Sequence, residues 1–155
     1  MMPRSKLSVI NVPAILIVLI MGFSAGCDDT ICSDLNTARV IISFFDLVSR
    51  APKTAKFDTV TAIGTDSVFV KEDSATEFSF PVNQTSDSTV FLFKNAGITD
   101  TLTINYLRNT SLVSSRCGYS TQLSLLDITR STFPEDTIVN KMLNASVNSN
   151  IQVYY

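Results

Sequence analysis

Thr101-Leu102-Thr103-Ile104-Asn105-Tyr106-Leu107 is the stretch that decides how this chain folds. Successive side chains of an extended backbone point to opposite faces. Leu102, Ile104 and Tyr106 therefore share one face, while Thr101, Thr103 and Asn105 share the other. A strand of this kind lays its apolar side on a second layer and leaves the other side in water. The same two-residue period recurs outward along the chain. Phe91 and Phe93 alternate with Leu92 and Lys94, and Phe78, Phe80 and Val82 alternate with Ser79 and Pro81. Leu123 and Leu125 alternate with Gln122 and Ser124; Ile151, Val153 and Tyr155 alternate with Gln152 and Tyr154.

Arg39–Leu47 is a continuous apolar run, which suits a strand buried on both faces. Its β-branched and aromatic content argues against a helix over Asp34–Ser49. Phe57–Ile63 and Ser67–Lys71 flank Gly64-Thr65-Asp66, a hairpin-like turn. Lys71–Glu77 reads as a charged loop and Asn83–Ser88 as a polar one. Ile138–Leu143 and Asn150–Tyr155 are expected to close a hairpin around Asn144–Ser149. Short segments at roughly ten-residue spacing predict an all-β fold. The expected architecture is an antiparallel β-sandwich, Ig-like or Greek-key, or a partly open barrel, in a single domain over residues 38–155.

The amino terminus has a different character. Arg4 and Lys6 precede an apolar run from about Val9 to Met21, and small residues then lead to Cys27. A positive start, an apolar core and a small-residue site describe a secretory signal. The run is short for a spanning helix, which needs about 20 apolar residues, and Pro13 weakens it further. Ser24-Ala25-Gly26-Cys27 resembles the lipobox of bacterial lipoproteins, although Ser24 stands where leucine is more usual. That resemblance implies removal of residues 1–26 and acylation of Cys27, palmitate included. Residues 27–37 then form a short membrane-proximal tether. Two or more acyl chains anchor stably where one alone is marginal.

With Cys27 lipidated, Cys32 and Cys117 remain. An even remainder in an exported chain reads as one disulfide, closing a loop of about 85 residues. A three-thiolate metal site is the alternative, but Cys-x4-Cys with a distant third cysteine matches known zinc spacings poorly. Five residues carry the chain from Cys27 to Cys32, a reach of at most about 17 Å. A disulfide in the folded body would therefore hold the domain close to the lipid.

Cys27-Asp28-Asp29-x-x-Cys32, the Ile41–Asp46 strand, Asp100–Tyr106 and Ser115-Arg116-Cys117-Gly118-Tyr119 together carry a wider likeness. The chain resembles the small Bacteroidota envelope lipoproteins grouped as a domain of unknown function, from the lipid cysteine through Val153-Tyr154-Tyr155. The resemblance implies an envelope lipoprotein with a β-rich fold and brings no activity.

Composition narrows the chemistry. The 155 residues contain 12 basic and 14 acidic side chains, no histidine and no tryptophan. Lack of histidine excludes Ser–His and Cys–His nucleophile pairs and imidazole metal ligands. A net charge of −2 disfavours nucleic acid as a partner. Paired carboxylates could still serve a glycosidase, yet most acids fall in turns and no tryptophan offers a sugar platform. No Asp-x-Asp-x-Asp-Gly loop is present for a hard cation, and Glu72-Asp73 with Glu77 reads as a charged rim. No catalytic residue, metal ligand or cofactor is therefore expected.

Arg116 is expected to pair with a carboxylate and Tyr119 to pack beside the disulfide. Phe44-Phe45 and Tyr154-Tyr155 each read as one core ring and one outward ring, and the outward rings would form a patch if they cluster. Asp28-Asp29 fits a sorting signal or a solvated leader equally. Asn83-Gln84-Thr85, Asn109-Thr110-Ser111 and Asn144-Ala145-Ser146 match the glycosylation sequon at a near-chance rate.

The expected function is a non-catalytic interaction or structural module, lipid-anchored to a bacterial envelope membrane, the outer membrane first, with an envelope protein as possible partner. A small-molecule, metal-ion or glycan-binding module and a pilus or adhesion subunit are the alternatives.

Overall fold

The structure, a computed structural model, describes residues 38–115, 117–143 and 149–155. Two sheets make up the fold, and no helix occurs among the described residues. The strands are β1 (Arg39–Phe45), β2 (Ala55–Ala62), β3 (Val68–Ala75), β4 (Glu77–Pro81), β5 (Ser88–Asn95), β6 (Ile98–Ser114), β7 (Gly118–Ser131), β8 (Glu135–Ile138) and β9 (Ile151–Tyr154). One sheet runs β4-β1-β9-β8 and the other β3-β2-β5-β6-β7.

The period-two reading places the core correctly over most strands. Leu102, Ile104 and Tyr106 of β6 face inward, as do Phe91 and Phe93 of β5 and Phe78 and Phe80 of β4. Val40, Ile42 and Phe44 of β1 and Ile151 and Val153 of β9 share the smaller sheet with β4 and meet the β5 and β6 residues from that side. Phe44 sits at the centre. Its ring lies 5.3 Å from Phe57 and between 5.9 and 6.3 Å from Phe78, Phe93, Phe133 and Tyr155. Such tilted and edge-on pairs add about 0.5–1.5 kcal/mol each beyond area burial. On its other face β1 also buries Ile41 and Ser43, as the unbroken apolar run predicts.

Pairing is antiparallel except between β1 and β9, which run parallel with Ile42 opposite Ile151. Buried Asn150 fastens this pair. Its Oδ1 accepts the Ile41 N–H at 2.9 Å, and its Nδ2 donates to the carbonyls of Asn140 at 3.2 Å and Met142 at 2.8 Å. Only Thr76 separates β3 from β4, so the chain passes there from one sheet's edge to the other's. Residues 132–134 make the same passage between β7 and β8. The sheets stay distinct and do not close into a barrel.

Three details depart from expectation. Lys71–Ala75 is not a loop but the second half of β3, an edge strand. Its exposed charges suit that place, because charge on an edge discourages further pairing. Leu125 does not follow Leu123 into the core; it is 63% exposed, and Leu126 is buried instead. Asn105 faces Asp127 while Leu107 faces Ser124, so Tyr106 opposes two residues in a β-bulge, with Leu125 at φ 53°. The bulge adds one residue and reverses the alternation. The closing hairpin is formed by Glu135–Ile138 with Ile151–Tyr154, not by Ile138–Leu143. Residues 141–143 instead lie along β7, where the Leu126 and Leu143 amides donate to Lys141 and Leu123 at 3.1 Å. Residues 144–148 lie outside the described set.

Candidate functional site

β6 and β7 are 17 and 14 residues long, far longer than the strands opposite them. β5 pairs with β6 only as far as Asn105. Beyond it, Leu107–Ser114 and Gly118–Ser124 continue as a ribbon, with Leu107 opposite Ser124 and Ser114 opposite Gly118, and Leu143 bridges its β7 side at Leu123. All eight residues from Leu107 to Ser114 are exposed. On the β7 side Ser120 and Leu123 are buried, and Thr110 and Thr121 share a hydrogen bond of 3.0 Å across the ribbon. At its base, Arg108 Nε donates to Asp87 at 2.5 Å.

The tip is apolar. Leu112 and Tyr119 are directly opposed, 59% and 71% exposed, and Val113 beside them is 40% exposed. Tyr119 is thus an exposed ring two residues from Cys117, and the disulfide partner expected beside it, Cys32, lies outside the described residues. No described strand of the smaller sheet pairs with this part of the ribbon.

Cys117 lies in the connecting turn, its amide donating to Ser114 Oγ at 2.9 Å. It is not a free thiol. Cys27 and Cys32, the other cysteines singled out in the sequence, lie outside the described residues, as do the signal segment 1–26, the tether 27–37, Arg116 and Asn144-Ala145-Ser146. Cys117 thus sits at the end of the ribbon, not within the sandwich.

A second cluster forms where β1, β8 and β9 meet. The outward rings expected of Phe45 and Tyr154 do come together, 5.4 Å apart, but both are half-buried. The Arg50 guanidinium lies 4.4 Å above the Tyr154 ring and grips Glu135 through two hydrogen bonds of 2.8 and 2.9 Å. This bidentate bond holds the Glu135 carboxyl below its ordinary range and raises the Arg50 pKa. Lys53 Nζ lies 4.3 Å from the Tyr155 ring centre and donates to the Tyr155 carbonyl at 2.8 Å. Asp46 accepts the Ser49 amide and hydroxyl and the Val48 amide, and these hydrogen bonds lower its pKa, those from Ser49 most. The sequence pairs neither Arg50 nor Lys53 with these partners, 85 and 102 residues away. A basic residue beside Asp46-Leu47-Val48-Ser49 is too common a pattern to single out.

An open cleft of about 390 Å³ lies between the β2–β3 turn and the β4–β5 loop, lined by Ile63, Thr65, Phe69, Val82, Asn83 and Thr89 among others. No charged side chain lines it. Beneath it the Tyr106 hydroxyl donates to the Asn83 carbonyl at 2.6 Å and shares a 2.7 Å hydrogen bond with Thr89. Burial raises the Tyr106 phenol pKa. Asn83 Oδ1 accepts the Thr85 amide and hydroxyl, so this sequon side chain is engaged in a local turn.

Every described carboxylate is at least partly solvent-facing. No group of three or more metal-capable side chains occurs among the described residues.

No curated protein and no solved structure matches the chain. A family of unknown function (DUF6452) matches residues 58–155, taking in most of β2 and all of β3 to β9 with the ribbon and Cys117. The matched segment begins after Cys27, Cys32 and β1, and it covers well over half of the sequence, so the chain belongs to this family of unknown function.

Proposed function

We propose that this protein is a lipid-anchored component of a bacterial cell envelope, of Bacteroidota type, working as a non-catalytic interaction or structural module. Residues 1–26 serve as the signal, Cys27 carries the acyl chains, and Cys32 is joined to Cys117 by a disulfide. The observation that carries the reading is Ser24-Ala25-Gly26-Cys27 placed directly behind a basic start and a short apolar run. Cys117 is not free, and Cys32 is the cysteine that lipidation leaves available to it.

A binding or structural role is favoured over catalysis by the carboxylates. They face solvent, and where their pKa moves it moves down, as for Asp46 and Glu135. A general acid needs the opposite shift. The pilus alternative is disfavoured because β9 is paired on both edges and offers no free strand to exchange. The cleft near Thr65 and Asn83 keeps a small neutral ligand as the second reading.

Mass spectrometry of the protein purified from its envelope fraction tests the anchor. The expected amino-terminal species is an acylated Cys27, and an intact Met1 without acyl chains overturns the proposal.

A further inference from the structure

We infer that the tip of the β6–β7 ribbon, formed by Leu112, Val113 and Tyr119, rests in the headgroup region of the membrane that carries the anchor. This rests on the lipid anchor and the Cys32–Cys117 pairing proposed above. Three observations converge on a lipid surface as the occupant. Leu112, Val113 and Tyr119, all exposed, stand together at the turn end of β6 and β7. A ring with a polar hydroxyl beside two aliphatic side chains suits the water–lipid boundary.

Charge gives the second argument. Of the 14 acidic residues, none falls between Asn109 and Leu126, where Arg116 is the sole charged residue. An anionic bilayer repels the acidic body and leaves the ribbon as the segment able to approach it.

Reach gives the third. Cys32 lies five positions after Cys27, at most about 17 Å when extended. With Cys32 bonded to Cys117, the turn next to Leu112 and Tyr119 cannot leave the bilayer surface by more than that distance plus the disulfide's own span of about 6 Å.

The chain contains no tryptophan, so one can be introduced as a reporter. Tyr119→Trp places it at the tip. Ile98→Trp places it at the other end of β6, on a residue 68% exposed and roughly 50 Å away along the strand. Each full-length variant is produced with its acyl chains and reconstituted on phosphatidylethanolamine–phosphatidylglycerol vesicles whose acyl chains are brominated.

The expected result is blue-shifted emission at position 119 that loses most of its intensity to the bromines, with position 98 unquenched. An acylated, disulfide-intact protein whose position 119 stays unquenched overturns the tip contact alone. Unquenched emission that is nevertheless blue-shifted does so by showing that a protein, or a second copy, covers the tip. A protein recovered without acyl chains, or with Cys32 and Cys117 both reactive as thiols, overturns the anchor reading and the tip contact with it.

Discussion

The two halves of β6 are one continuous strand in two surroundings. Leu102, Ile104 and Tyr106 are buried, whereas Leu107–Ser114 is exposed throughout. Backbone pairing with β7 persists along both. What changes is the layer opposite. The smaller sheet has strands of seven, five, four and four residues, too short to cover the far ends of β6 and β7. Hydrogen bonding alone therefore extends a strand, but only an opposing sheet turns it into core. The sandwich carries the stability of the fold, and the exposed strand Leu107–Ser114 of the ribbon offers a surface for contacts.

The strongest test of that division is Phe44→Ala. Removing a ring packed against five others is expected to cost about 3–5 kcal/mol in denaturant unfolding. A cost below 1 kcal/mol would mean that the aromatic cluster is not the centre of the fold. Asn150→Ala comes next. It strands a buried amide and two carbonyls at the β1–β9 junction, with an expected cost of about 2–3 kcal/mol by the same measurement.

Leu125→Gly acts at the boundary between the two regions, where a non-glycine residue sits at φ 53°. The left-handed conformation costs a leucine about 1–2 kcal/mol, partly offset by the chain entropy of glycine. A stabilisation of up to about 1 kcal/mol is expected, and a destabilisation would show that the exposed leucine makes contacts of its own.

Glu135→Gln should produce a smaller effect, a modest drop in Tm near neutral pH. Because Arg50 lowers the folded carboxyl pKa, the stability from this pair is present above the ordinary carboxylate range. It fades as pH falls through the folded value. Wild type and variant should therefore converge in acid, and a difference that grows there would contradict the pairing.

Smallest of all, Leu112→Ser and Tyr119→Ser should leave unfolding within about 0.5 kcal/mol of wild type, since both side chains are exposed on the ribbon. A larger loss would show that the ribbon belongs to the core.

Strand positions and inward faces were legible in the sequence because period two is a local signal, seen at Leu102, Ile104 and Tyr106 and again at Ile151 and Val153. Three features escaped it, each for a physical reason. The bulge at Leu125 inserts one residue and reverses a pattern that is otherwise regular. The parallel pairing of β1 with β9 joins residues more than 100 positions apart, which no local pattern encodes. The projection of the ribbon depends on the length of the opposing sheet, not on its own residues. Of the candidate site, Cys117 was legible by cysteine count, but its place at a ribbon tip was not. The Arg50–Glu135 and Lys53–Tyr155 contacts likewise emerge only once distant strands are brought together.

The account turns on the ribbon, not the sandwich, being tied to the anchor through Cys117. Peptide mapping of the envelope-purified protein under non-reducing conditions tests this most directly. The account predicts a disulfide-linked pair of peptides, one containing Cys32 and the other Cys117. Quantitative alkylation of both cysteines without reductant would contradict it.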